Sequence, residues 1–237
     1  IDQYPLLNAT KELLRQIKRP ETSTNPADIS HIITPEDLIA CYYKHWGGRT
    51  STSPSGRHLG HYRALIAALG LPVDTDDPVA HFQARMLAID AKFLTICTTN
   101  AYAVERWCRV VNCLIEKEPG YPKINRLRVI HLYEADYNLI LKIMWRRLLQ
   151  QADEHDMLLP DQWGSRPGKC SIEVVVLKQF TYMLPHMLHM PLACFDNDAA
   201  ACYNRIIPAM AMMACHRLGL PSCLSKLNTS MLTQAQY

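Results

Sequence analysis

The stretch Met190-Pro191-Leu192-Ala193-Cys194-Phe195-Asp196-Asn197-Asp198-Ala199-Ala200-Ala201-Cys202-Tyr203-Asn204-Arg205-Ile206 decides how the rest of the chain is read. Met190 to Phe195 is apolar and reads as a strand that leads into two carboxylates, Asp196 and Asp198, at i and i+2. Side chains alternate along a strand, so both acids point to one side. Small residues follow, and Tyr203 stands five places after Asp198. A carboxylate held at a strand end beside an aromatic wall supplies a hard oxygen ligand for a divalent cation next to a shaped substrate surface.

Upstream, two segments carry charge in an ordered way. Trp107 to Ile115 is rich in residues that favour strands, and so is Leu127 to Leu132. Between them Pro119-Gly120-Tyr121-Pro122 forces a turn, so a β-hairpin with a basic loop is predicted. It brings Lys117 and Arg128 to one place, with Arg126 beside them. Fixed cations of this kind suit a polyphosphate, and arginine adds bidentate geometry. The stretch Arg106–Arg128 holds six cations (Arg106, Arg109, Lys117, Lys123, Arg126, Arg128) against Glu116 and Glu118, in a chain of net charge only +3. Such a local strip suits a phosphate-bearing partner or, more plainly, a solvated face. Further on, Asp161-Gln162-Trp163-Gly164-Ser165-Arg166-Pro167-Gly168-Lys169-Cys170-Ser171 places Arg166 and Lys169 in a glycine-bearing loop before a helix. Ser171 is the expected cap of that helix.

The remainder reads as helix. Leu6–Ile17 is amphipathic. Thr34-Pro35-Glu36-Asp37 opens a helix to about Trp46, and Gly47-Gly48 ends it. A Ser/Thr/Gly loop, Arg49 to Gly60, precedes a helix to Leu69. Asp77-Pro78 opens a long helix with Val79, Phe82, Met86, Ile89, Phe93 and Ile96 on a helical period, the expected core face. Helices are also expected from Tyr133 to Gln151, Ile172 to Leu184, Pro208 to Leu218 and Ser222 to Thr233. The fold class expected is α+β, mostly helical, with a short antiparallel sheet.

Taken in order, the three charged segments resemble reverse transcriptases of the group II intron and non-LTR retroelement type. The hairpin resembles their fingers hairpin, the Gly-Ser-Arg-Pro-Gly-Lys-Cys loop their Gly-Phe-Arg-Pro-Gly-Arg-Ser motif, and Phe195–Ile206 their first catalytic motif. The chain departs from the family at Ser165, Lys169 and Cys170, and at Asn204, where the family has an acid. The resemblance implies a right-hand polymerase divided as 1–50 N-terminal helical extension, 51–189 fingers and 190–237 the start of the palm. It implies Asp198 as the catalytic metal ligand, with Asp196 a neighbour or weaker auxiliary. Lys117 and Arg128 would hold the nucleotide triphosphate, and Tyr203 would exclude a 2′-hydroxyl. Arg126, Arg166 and Lys169 would contact nucleic acid. The implied cofactor is Mg²⁺ in a two-metal site, and the implied partners are an RNA template, a DNA primer and deoxynucleoside triphosphates. No Tyr-x-Asp-Asp motif occurs before Tyr237, so the later carboxylates are missing and the chain by itself is expected to be inactive.

Two other readings stay open. A decayed or domesticated nucleic-acid-binding remnant fits the same residues. His58-Leu59-Gly60-His61 also looks like the His-Ile-Gly-His signature of class I aminoacyl-tRNA synthetases, although the second, lysine–serine signature is absent.

Composition narrows the setting. The chain has 237 residues, 49% of them hydrophobic, enough for a sizeable core. No apolar run approaches the roughly 18 residues of a membrane span, so no membrane is expected. Nine scattered cysteines without a Cys-x-x-Cys pair argue for reduced thiols and an intracellular compartment, with a nuclear location compatible. The start at Ile1 has neither an initiator Met nor a signal peptide, and the chain reads as part of something longer.

Overall fold

A computed structural model describes residues 5, 7–17, 27–45, 53–66, 77–158, 162–164, 166, 168–194 and 206–236. Its elements are α1 (Asn8–Ile17), α2 (Pro35–His45), α3 (Leu59–Ile66), α4 (Pro78–Thr99), β1 (Val111–Glu116), β2 (Leu127–Leu132), α5 (Ala135–Glu154), α6 (Ser171–Met187), α7 (Pro208–Arg217) and α8 (Ser222–Gln234). The fold is therefore α+β and mostly helical, with one two-stranded antiparallel sheet among the described residues. The chain divides into two compact units, residues 27–148 with 219–237, and residues 1–26 with 149–218.

The first unit holds the main core. Trp107, Tyr137, Leu38, Leu139, Leu148, Leu227 and Met231 are completely or almost completely buried there. Local chemistry starts its helices where the sequence places them. Thr34 and Asp37 cap α2 reciprocally: Asp37 Oδ2 accepts from the Thr34 N–H at 2.9 Å, and Thr34 Oγ1 accepts from the Asp37 N–H at 3.3 Å. Asp77 Oδ1 accepts from the Val79 N–H at 2.9 Å, and Pro78 fills the first helical position of α4. Thr95 on α4 grips the strap before α2, donating to Ile33 O and accepting from the Ile33 N–H, both at 3.0 Å. Arg147 on α5 holds the same strap, donating to Ser30 O at 2.6 Å, Ile32 O at 2.7 Å and Asp37 Oδ2 at 2.6 Å. After α8 the backbone of Gln236 pairs with Cys108 O and the Val110 N–H at the entrance to β1.

Four sequence expectations change. The first strand starts at Val111, because Glu105–Cys108 winds into a 3₁₀ turn. That turn buries Trp107 edge-on to Phe93 and against Tyr137, with ring centroids 6.2 Å and 5.9 Å away. The long helix α4 turns its apolar stripe outward: Val79, Phe82, Ile89 and Ile96 are exposed, while Ala80, Leu87, Ala91 and Leu94 face the core. The core face thus carries Leu87 and Leu94 between alanines that let neighbouring elements come close.

In the second unit, α1 lies against α7, and Gln151 Nε2 donates to Leu218 O at 3.1 Å. Helix α6 begins at Ser171, with Cys170 rather than Ser171 as its cap, since the Cys170 N–H donates to Glu173 Oε2 at 3.1 Å. That cap is the third change and the fourth follows it: Met190–Cys194 forms no strand, and no strand among the described residues lies alongside to complete a ladder.

Candidate functional site

The predicted hairpin is present, and β2 has the expected bounds. Its register pairs Val111 with Leu132 at the root and Ile115 with Arg128 and Glu116 with Leu127 at the turn end. One rung further, the Lys117 N–H donates to Arg126 O at 3.0 Å. Residues that face each other across an antiparallel ladder share a side, so Arg128 lies on the Ile115 side. Lys117 is two positions beyond Ile115, so the same alternation puts it on that side as well. Gly120 makes the turn at φ +81, a conformation that only glycine adopts without strain, and its N–H donates to Glu116 Oε2 at 2.8 Å.

The cations of the basic strip divide sharply. Arg106 turns inward and pairs with the buried Asp136. Arg109 pairs with Glu105 at 2.9 Å, and Arg126 pairs with Glu118 at 2.9 Å. Lys123 sits over the Tyr121 ring, 5.5 Å from its centroid. Lys117 and Arg128 are exposed, and their side chains make no ion pair or hydrogen bond among the described residues. The strip is thus smaller than its sequence suggests: three of its six members are neutralised by neighbours, and the two cations expected to hold a polyphosphate remain uncommitted.

The other predicted residues lie in the second unit. Arg166 is largely buried and donates through Nε to Asp153 Oδ1 at 2.7 Å, so its charge is already matched by a carboxylate. That arrangement ties the loop to Asp153. Lys169 is exposed, its ammonium 4.8 Å from the centroid of Trp163. Gly168 takes φ +73 between them. Asp196, Asp198 and Tyr203 fall outside the described residues. Among the described residues no cluster of three or more His, Cys, Asp or Glu could hold a metal ion.

Beside the hairpin root the first unit carries a polar network that charge counting misses. Glu134 and Asp136, directly after β2, are 1% and 4% exposed. Glu134 receives the Ser55 N–H at 2.6 Å and the Ser55 hydroxyl at 3.1 Å. Asp136 accepts from the Tyr62 hydroxyl and from Arg106, and Arg57 Nη1 lies 3.5 Å away. Arg57 also donates to the Tyr62 oxygen at 2.8 Å. Loop Ser53–His58 is therefore clamped to the start of α5 by one acid that takes neutral donors and one that takes two guanidinium groups. A pocket of about 480 Å³ opens beside them, lined by Ile89, Asp90, Phe93, Val104, Arg57 and Arg106 among others. Burial raises the Asp90 carboxyl above its ordinary range, and Arg57 and Arg106 oppose that rise. Burial likewise raises the Tyr62 phenol, against Arg57.

The synthetase-like segment lies in this loop. His58 Nδ1 accepts from the Gly60 N–H at 2.9 Å, so the imidazole acts as a local cap at the start of α3. No buried parallel strand precedes it among the described residues, as that fold would require. Sequence reasoning passed over Glu134 and Asp136 because single acids after a strand carry no motif; the signal available was a pair of carboxylates inside an otherwise apolar helix start.

No known protein family matches the chain, and no curated protein matches it.

Among the described residues no helix is long and apolar enough to cross a membrane.

Proposed function

We propose that this chain carries the fingers and the beginning of the palm of an RNA-directed DNA polymerase of the retroelement type, and that Lys117 and Arg128 bind the triphosphate of the incoming deoxynucleotide. The observation that supports this most is the hairpin. It occurs where the family order requires it, and it leaves those two cations exposed while Arg106, Arg109 and Arg126 are paired. Two uncommitted cations two rungs apart on one side of the hairpin suit neighbouring phosphates, which need fixed positive charge and bring their own acceptors.

Asp198 is the proposed metal ligand and Tyr203 the proposed sugar gate. Oxygen donors from Asp196 and Asp198 suit Mg²⁺, but two metal ions need more carboxylates than this motif supplies. No metal-dependent step is therefore assigned to the chain by itself; primer extension belongs to a polymerase that adds the remaining acids. RNA template and primer would be held by sequence-independent contacts to phosphate, with Lys123 and Lys169 better placed than the paired Arg126 and Arg166.

The test uses a polymerase that contains this segment. Lys117→Ala and Arg128→Ala should each raise the KM for nucleotide and leave primer–template affinity almost unchanged, because only the nucleotide contact is lost. Normal nucleotide KM in both variants would remove the fingers assignment.

A further inference from the structure

The six residues Val79, Phe82, Met86, Ile89, Phe93 and Ile96 follow one another at intervals of three, four, three, four and three along α4 (Pro78–Thr99). This is the a/d spacing of a coiled coil held over three heptads. Four of the six are open, Val79 at 56% exposure, Phe82 at 60%, Ile89 at 57% and Ile96 at 52%, while Met86 is half-buried and Phe93, at 36%, also packs on Trp107. The helix meets its own core through Ala80, Leu87, Ala91 and Leu94, on the other side. A stripe of large apolar side chains in this spacing, most of it left in water, has the shape that another helix of the same spacing fills by knobs-into-holes packing.

The flanking charges indicate which helix and in which direction. With Val79 at a, the g positions include Arg85 and Lys92, and the e positions are Gln83, Asp90 and Cys97. In a parallel pair each g residue meets the e residue five places later on the other helix. Arg85 then meets Asp90 of the second copy, twice by symmetry, while Cys97, 2% exposed, faces its own core and leaves Lys92 without a counterpart. An antiparallel pair sets g against g and brings Arg85 and Lys92 together, cation against cation. Within its own chain Asp90 already has Arg57 and Arg106 nearby, on the pocket side. Ile89 and Phe93 belong both to the stripe and to the wall of that pocket, so the open volume adjoins the seam and gives a second helix room for its side chains.

We propose that α4 is the interface of a parallel homodimer, in which the stripe from Val79 to Ile96 packs against the same stripe of a second copy and Arg85 pairs with its Asp90. The proposal is independent of the polymerase reading. The complementary charges are on the same helix as the stripe, so the chain is its own best-matched partner.

The measurement is sedimentation velocity of the full chain over a concentration series up to roughly 100 µM. The expected result is a monomer–dimer equilibrium. Phe82→Lys places a charge in the seam at a position exposed in the single chain and remote from the pocket, so it should abolish the dimer and leave the circular dichroism spectrum and Tm unchanged. Arg85→Glu should weaken association at least tenfold at low salt. Orientation is read with Phe82→Cys in a chain whose exposed Cys170 and Cys194 are changed to Ser: a parallel seam sets position 82 against itself and gives a disulfide-linked dimer on mild oxidation. A chain that stays monomeric throughout, a dimer unaffected by Phe82→Lys, or a dimer with no 82–82 cross-link would each overturn the proposal.

Discussion

Asp136→Asn tests the polar network at the hairpin root. The side chain keeps its volume and loses its charge, while the amide turns an N–H toward groups that are themselves donors. Asp136 is 4% exposed, and the Tyr62 hydroxyl, Arg106 and Arg57 converge on it. Removing one partner from a fully buried ion pair costs about 3–5 kcal/mol, because the other charge is left without compensation. Here the Arg57 and Arg106 side chains are 42% and 32% exposed, so water recovers part of the loss. The expected destabilisation of this unit is therefore about 2–3 kcal/mol. In urea that moves the midpoint by roughly 1–2 M with the slope unchanged. The assay is urea unfolding followed by near-ultraviolet circular dichroism, at low and at high salt. Salt should not erase the difference, because the carboxylate is shielded from bulk ions. Glu134→Gln is the internal comparison: it meets only the neutral donors of Ser55, an amide oxygen can still accept one of them, and the loss should be nearer 1 kcal/mol. A midpoint shift under roughly 0.3 M for Asp136→Asn would refute the idea that this acid anchors the loop.

Trp107→Ala should cost about 3–5 kcal/mol, since the indole is wholly buried between Phe93 and Tyr137. Trp107→Phe should cost much less, because the indole N–H has no hydrogen-bond partner to lose; equal losses in chemical denaturation would contradict this. Burial raises the thiols of Cys41, Cys97 and Cys108 and the phenols of Tyr62 and Tyr137, so the unfolded chain gives up these protons first. Stability should therefore fall as pH rises through the ordinary thiol and phenol values of 9.0 and 10.0, and a flat melting temperature across that window would show that these groups do not couple to folding. Brief alkylation of the folded chain should label Cys170 and Cys194 and spare Cys41, Cys97 and Cys108, as mass spectrometry would reveal. Binding to single-stranded RNA should weaken with salt, and the slope should shrink by about one contact in Lys117→Ala; an unchanged slope would remove Lys117 from the contact surface.

Where the sequence predicts structure well, the determinant is local. The Thr34–Asp37 capping pair, Asp77 with Pro78, and the Pro119–Pro122 turn each fix an element through groups a few residues apart, and each is observed. The face of α4 was not legible in the same way. Periodicity shows that Val79, Phe82 and Ile89 share a side, but the other side carries its own apolar row of Ala80, Leu87, Ala91 and Leu94, and that row is the one packed in the core. Charge counting gave Arg106 to the surface strip, because the acid that neutralises it is recognisable only once the chain has folded: Asp136 lies thirty residues from Arg106. Lys117 and Arg128 kept the exposure expected of them, since Glu116 and Glu118 are engaged with Gly120 and Arg126. The motif-bearing residues Asp198 and Tyr203 rest on sequence alone.

The hairpin is bordered by no third strand among the described residues, so each of its strands has an outer row of backbone donors and acceptors. Charges guard only one end of it. Glu116, Lys117, Arg126 and Arg128 cluster at the turn, and charged side chains along an edge oppose its burial against another strand. The root half offers Val111, Leu114, Val129 and Ile130, at 46%, 60%, 51% and 41% exposure, with no charge among them. Unwanted strand addition between molecules should therefore start at the root and run toward the tip, and a lysine at position 114 or 129 would be the economical way to keep concentrated preparations in solution.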